Sequence, residues 1–170
     1  MSENTESIET RCHVTIDVQH SIYPLPDIPV QARISHTPYG HRYDLMEPLL
    51  NEYERDVYTS LISSLKIHLQ DKETYRSFQK KYHEKIQSLI NALAPELSES
   101  SLAVLTYFIT RDMKGFGPLQ PFLQDPDLFH ITIPGYNLPV IVRHRHHGTM
   151  TTGLIPNENE CQKIIKKIEN

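Results

Sequence analysis

Apolar residues recur along this chain with two periods, and the helical one gives out at Gly117. Near the start, Val14, Ile16 and Val18 alternate with polar neighbours, the step of two expected of a half-buried strand. Pro24, Pro26 and Pro29 then exclude a helix, so residues 1–36 are expected to form an acidic tail and a proline-rich extended arm, with a short second strand at 30–35. Thr37 to Gly40 reads as a turn. From about Pro48 the pattern becomes helical: Leu61, Leu65 and Leu69 fall at steps of four, and Ile62 widens the same face. Tyr75, Phe78, Tyr82, Ile86, Leu89 and Leu93 predict a second helix, which Pro95 closes. A third is expected to open at Ser98 or Ser100, whose side-chain oxygen can accept an orphan backbone N–H. It carries Leu102, Leu105, Phe108 and Ile109, and ends at Gly115, which can take the left-handed conformation of a helix terminus.

Beyond Gly117, prolines leave no room for a long helix, so Leu119, Phe122 and Leu123 are expected to seal a short turn onto the preceding helices. Ile131 with Ile133, then Val140, Ile141 and Val142, mark two strands on either side of a turn containing Gly135, and a third strand follows Gly148. From about Asn157, Cys161, Ile164, Ile165 and Ile168 predict a covering helix. The expected fold is α+β: an extended arm over 1–36, a three-helix region over 37–114, and a small, mainly antiparallel sheet with a C-terminal helix over 115–170. The last two are expected to form one domain.

A chain of 170 residues and 19.7 kDa can bury one substantial core without covalent staples. Its two cysteines, Cys12 and Cys161, lie far apart without C-x-x-C spacing, which fits a reducing compartment. The formal net charge of -4 gives no support for nucleic acid as a partner. No apolar run approaches the roughly 20 residues of a membrane span, and the start lacks the pattern of a signal peptide, so an intracellular chain is expected.

Candidate chemistry is sparse. None of the six glycines stands in a G-x-x-x-x-G-K phosphate loop, and Gly115-Phe116-Gly117 follows a predicted helix, whereas a dinucleotide fingerprint opens one. His144 and His146 would share one face of a strand with His147 opposite, but no H-E-x-x-H or acidic ligand accompanies them. A metal site at His144 and His146 is thus the lesser alternative. The reading preferred here is a cation-rich surface strand with Arg143 and Arg145 on its other face and no metal. Asp125 is read as a turn residue, and no catalytic group is expected.

The stretch from Ile109 to Ile168 nevertheless resembles the N-terminal domain of the archaeal type II/type IV secretion and archaellum ATPases. The resemblance rests on Arg111, Gly115, Phe116, Gly117, Pro121, Leu123, Asp125, Ile131, Gly135, Pro139, Val142, His144, Arg145 and Gly148, followed by Thr152, Asn157 and Glu160. It is close over residues 105–169 and looser over 35–100, and Phe129 and His130 stand where that family has an acidic residue. The resemblance implies a lobe that rocks against a C-terminal RecA-like core and transmits motion to a polytopic membrane platform protein. It further implies a homo-hexamer only with the core present, ATP and Mg bound by the full-length enzyme, and a location at the cytoplasmic face of the membrane. Arg145, Arg143 and Arg111 are then the candidates for reaching nucleotide phosphates, while Gly115, Gly117, Asp125, Gly135 and Gly148 shape turns. The chain alone is expected to be without ATPase activity. A stand-alone adaptor binding such an ATPase or platform in trans is the alternative.

Overall fold

A computed structural model describes residues 19–37, 40–68 and 82–169. The architecture is α+β. Strands β1 (Gln19–Pro24), β2 (Gln31–Thr37) and β3 (Gly40–Met46) form an antiparallel meander. Three helices follow: α1 (Glu52–His68), α2 (Tyr82–Leu93) and α3 (Glu99–Met113). A 3-10 turn (Gly117–Leu119) runs into the short helix α4 (Gln120–Gln124). A second meander follows, β4 (Leu128–Thr132), β5 (Ile141–His144) and β6 (Gly148–Thr152), and α5 (Glu158–Ile168) comes last. The strands make one sheet of order β1-β2-β3-β6-β5-β4, antiparallel except where β3 meets β6.

Across that seam the proline-rich arm supplies β1 and β2 to the same sheet that the C-terminal segment completes. Its prolines lie where strands tolerate them, Pro24 at the last position of the edge strand β1 and Pro26 and Pro29 in the loop that follows. Val14, Ile16, Val18, Leu69, Tyr75 and Phe78, singled out by periodicity, lie outside the described residues.

Helix α3 sits between two cores. Its Tyr107 packs with Ile34, Tyr43, Phe122, Val142, Met150 and Ile164 above the sheet. Its Leu105 and Ile109 pack with Val57, Leu61, Leu65, Ile86 and Ile90 of α1 and α2. Two residues along a helix is about 200° around it, so Tyr107 faces away from Leu105 and Ile109.

Local chemistry fixes the boundaries. Helix α1 starts later than Pro48 because Asn51 and Glu54 exchange side-chain-to-backbone bonds at 2.9 Å. Ser98 caps α3 by accepting from Ser101 N. Gly115 does not take the left-handed conformation; Gly117 does, at φ 60°. Gly115 is needed for closeness instead, since a Cβ there would stand 2.8 Å from the Arg111 carbonyl oxygen and 2.6 Å from Gln120 Oε1. Gly135 lies in the β4–β5 turn, where Asn137 holds the left-handed position at φ 59°. Leu123 is exposed, and Leu119, Pro121 and Phe122 are the buried residues that seal this turn and α4. On α5, Ile164 is buried but Ile165 and Ile168 are exposed, so only one edge of the predicted apolar face is covered.

Candidate functional site

Three polar constellations link distant parts of the chain. The first is built around Asp125, buried at the turn between α4 and β4. Its Oδ2 accepts from Tyr23 Oη at 2.7 Å and Tyr43 Oη at 2.6 Å, and its Oδ1 accepts the backbone N–H of Asp127 at 2.9 Å. Tyr23 Oη also lies 3.2 Å from His144 Nε2, and His144 Nδ1 accepts from the backbone of His146 at 3.1 Å. Burial, then the hydrogen bond to Asp125, pushes both tyrosines well above their ordinary range. Burial lowers His144, an effect that Asp125 and Asp127 oppose. His144 is therefore a buried, neutral hydrogen-bonding group, contrary to the surface-strand expectation. With both ring nitrogens engaged it has no lone pair for a metal, which removes the His144–His146 pair as a chelate.

The second constellation surrounds Arg111 at the end of α3. Its guanidinium bonds Glu47 at 2.7 and 2.9 Å and Asp112 at 2.7 and 3.1 Å, and lies 4.7 Å from the Phe108 ring centre. Tyr107 Oη donates to Glu47 at 2.5 Å, and Tyr58 Oη donates to Asp112. Burial alone works against the Arg111 charge, but Asp112 and Glu47 outweigh it and raise its proton affinity. To touch a phosphate, Arg111 would have to leave two carboxylates. Beside it is a cleft of about 600 Å³ lined by Asp27, Gln87, Thr110, Arg111, Gln120 and Gln124, among others. Thr110 Oγ1 and Gln124 Oε1 are buried there without a protein partner.

The other candidate arginines are open. Arg143 and Arg145 are exposed, Arg143 at the outer face of β5 with its guanidinium 5.2 Å from the Phe129 ring, and Arg145 in the turn beyond. The Arg145 backbone N–H bonds Asp127 O at 2.8 Å, which fixes the turn without using the side chain. Gly148 starts β6 at φ 71°, a conformation glycine adopts without the Cβ penalty.

The third constellation is a set of histidines at the seam of the meanders. His147 does not stand apart from His144; their ring centres are 4.8 Å apart. His147 also approaches His36 and His41, and burial followed by these neighbouring imidazoles lowers its proton affinity. Apolar periodicity does not single out His36, His41, Tyr23, Tyr43 or Glu47: they are polar or isolated positions, and β3, which carries His41 and Tyr43, has no strict apolar alternation. The signal was present in the Thr-Pro-Tyr-Gly turn flanked symmetrically by His36 and His41.

No helix among the described residues is long and apolar enough to cross a membrane. No protein-family model matches the chain. It is 36% identical over 70 residues to the uncharacterized protein MJ0781 of Methanocaldococcus jannaschii, covering 41% of this chain and 9% of that protein. It is 26% identical over 119 residues to the uncharacterized protein MJ1288 of the same organism, covering 66% of this chain and 46% of that protein. The chain thus spans less than half the length of either curated relative.

Proposed function

We propose that this chain is the N-terminal lobe of a secretion or archaellum ATPase, an interaction and force-transmitting domain at the cytoplasmic face of the membrane. The observation that supports this reading is where the motifs of the resemblance fall. Gly115 to Gly117 closes α3, Asp125 precedes β4, His144 and Arg145 end β5, Gly148 opens β6, and Asn157 with Glu160 forms the capping box of α5. Residues that shape the boundaries of elements are those a lobe of this topology needs. In the working assembly, Arg145 is the side chain best suited to reach the phosphates of ATP held by a RecA-like core, because it is exposed on an ordered turn and a guanidinium fork matches phosphate oxygens. Arg143 is second, and Arg111 serves the interior of the lobe.

Phosphoryl transfer needs positioned cations and a magnesium site around the γ-phosphate, so the isolated lobe is expected to leave ATP intact. The coding sequence beyond Asn170 supplies the direct test: a frame running into G-x-x-x-x-G-K supports the lobe, whereas a stop codon beside a separate ATPase gene favours an adaptor acting in trans. With the core present, Arg145→Ala is expected to cut ATP turnover by about tenfold or more, the scale of a lost phosphate contact. Unchanged turnover would remove Arg145 from the nucleotide site.

A further inference from the structure

Strand alternation gives the sheet a second face, opposite the one that Ala32, Ile34, Tyr43, Val142 and Met150 turn toward the helices. On it Arg33 stands directly opposite Asp44 across β2 and β3, Arg42 pairs with Thr151 across the seam, and Arg143 pairs with Thr149 across β5 and β6. Arg42, Arg143, Thr149 and Thr151 are exposed, and Arg33 is half-buried. Asp44 is the only acidic residue in the six strands. A net positive face thus stands on a chain whose formal net charge is -4. Asp44 is shared between two guanidiniums: Arg42 Nε donates to both its oxygens, at 2.8 and 3.0 Å, whereas Arg33 Nη2 makes only an ion pair at 3.5 Å. Arg33 Nε is buried without a hydrogen-bond partner among the described residues, and the Nη groups of Arg42 make no hydrogen bond there either. Gly153 leaves room for the arrangement, since a Cβ there would stand 2.9 Å from both Arg42 Nη2 and Asp44 Oδ1. Guanidinium donors on this face outnumber the carboxylate that holds them.

We propose that this open face docks an acidic segment of a partner protein, whose carboxylates meet the guanidinium donors that Asp44 leaves unmatched. A carboxylate fits the guanidinium fork, and Asp44 shows how one sits against Arg42. One carboxylate shared by Arg33 and Arg42 and a second at Arg143, two strands away or about 10 Å across the sheet, engage all three cations. An extended chain covers that distance in about three residues. Thr149 and Thr151 offer hydroxyls between the two points, and Ile22, exposed opposite Arg33, offers apolar support. An anionic bilayer is the poorer match, because a lipid-binding cluster has about four to eight basic residues together. Nucleic acid is poorer too: the Phe129 ring of β4 is already engaged by the Arg143 guanidinium, which occupies a surface that a base would stack on. The surface belongs to the sheet itself and does not depend on the lobe reading.

The test uses the full 170-residue chain with a fluorescein-labelled octaglutamate peptide at low salt, read by anisotropy, and octaglutamine as the control. Saturable binding of octaglutamate alone is expected, and it should weaken as salt screens the exposed charges. Arg33→Gln and Arg42→Gln should each weaken it at least threefold and Arg143→Gln about twofold, while Lys163→Gln, exposed on α5, should leave it unchanged. Asp44→Asn should tighten binding at least threefold, because it removes the internal carboxylate that competes with the peptide. Binding that is absent, shared equally by octaglutamine, undiminished in both Arg33→Gln and Arg42→Gln, or no tighter in a folded Asp44→Asn variant overturns the proposal. Tighter binding to phosphatidylglycerol vesicles or to single-stranded oligothymidylate than to octaglutamate also overturns it, by assigning the face to a membrane or to nucleic acid. Should a variant fail to fold, nuclear magnetic resonance of the wild-type chain decides. Octaglutamate should shift the side-chain signals of Arg33, Arg42 and Thr151, and shifts confined to the helical side of the sheet refute the site.

Discussion

The Asp125 and Arg111 constellations do the same job with opposite chemistry. Each ties a residue of the C-terminal half to partners far back in the chain: Asp125 to Tyr23 and Tyr43 across 102 and 82 residues, Arg111 to Glu47 across 64. The buried carboxylate is held by neutral hydroxyls and a backbone N–H; the guanidinium is held by two carboxylates. Glu47 and Asp112 keep 30% and 25% of their side-chain surface exposed, so water and salt reach the Arg111 network. Asp125 keeps 3%. The Asp125 knot is accordingly sustained by short hydrogen bonds that salt does not screen, whereas part of the Arg111 knot is Coulombic and weakens with ionic strength.

Removing the central group of each knot should separate them most clearly. Asp125→Ala strips the acceptor from Tyr43 Oη, a fully buried residue, and from the Asp127 N–H, and should cost about 3–4 kcal/mol. Arg111→Ala leaves two carboxylates that solvent can partly rescue, for about 2–3 kcal/mol. Chemical denaturation of both variants at low and high salt measures the contrast: the Arg111→Ala cost should shrink with salt and the Asp125→Ala cost should not. Equal salt dependence would mean that the two networks have the same physical origin.

Single hydroxyls sharpen the comparison. Tyr43→Phe should cost about 1–2 kcal/mol, and Tyr23→Phe less, because Tyr23 lies nearer solvent. The pH dependence follows from the same groups. A tyrosine whose proton affinity is raised by folding contributes stability that is complete below its ordinary value of 10.0 and is lost as pH rises beyond it. A histidine whose affinity is lowered by folding has the opposite slope, with stability lost as pH falls through 6.5. The wild-type denaturation midpoint should fall at both ends, the alkaline fall lessened by Tyr43→Phe and the acid fall by His144→Gln.

The two regions also differ in how far they could be read from sequence. Most of the helical core was legible because its residues are local: Leu61 with Leu65 and Leu105 with Ile109 each declare a face within one turn and are buried. On α2 the buried face is displaced from the predicted stripe: Ile86 is buried together with Ile90, while Leu89 and Leu93 are exposed. The second meander was legible from alternation and its turn residues. The joining of the meanders was not, because β3 and β6 share two register pairs across a hundred residues and no local period encodes a partner. The same applies to Asp125. Its place in Asp-Pro-Asp marks a turn, and nothing nearby in sequence announces the two tyrosines that make it an anchor.

The smallest predicted effect concerns the arginines that neither knot uses. Arg143 and Arg145 are exposed, and the contribution of Arg145 to its turn is made by the backbone. Arg145→Ala should therefore shift stability by no more than about 0.5 kcal/mol, against the far larger loss for Arg111→Ala. The pair forms a control for function, since a stability-neutral Arg145→Ala that impairs ATP turnover in the presence of a catalytic core must act through what the side chain touches in the assembly. The opposite result, a substantial loss of stability on Arg145→Ala in the isolated chain, would make Arg145 a part of the fold. A loss of turnover could then no longer be assigned to a missing phosphate contact.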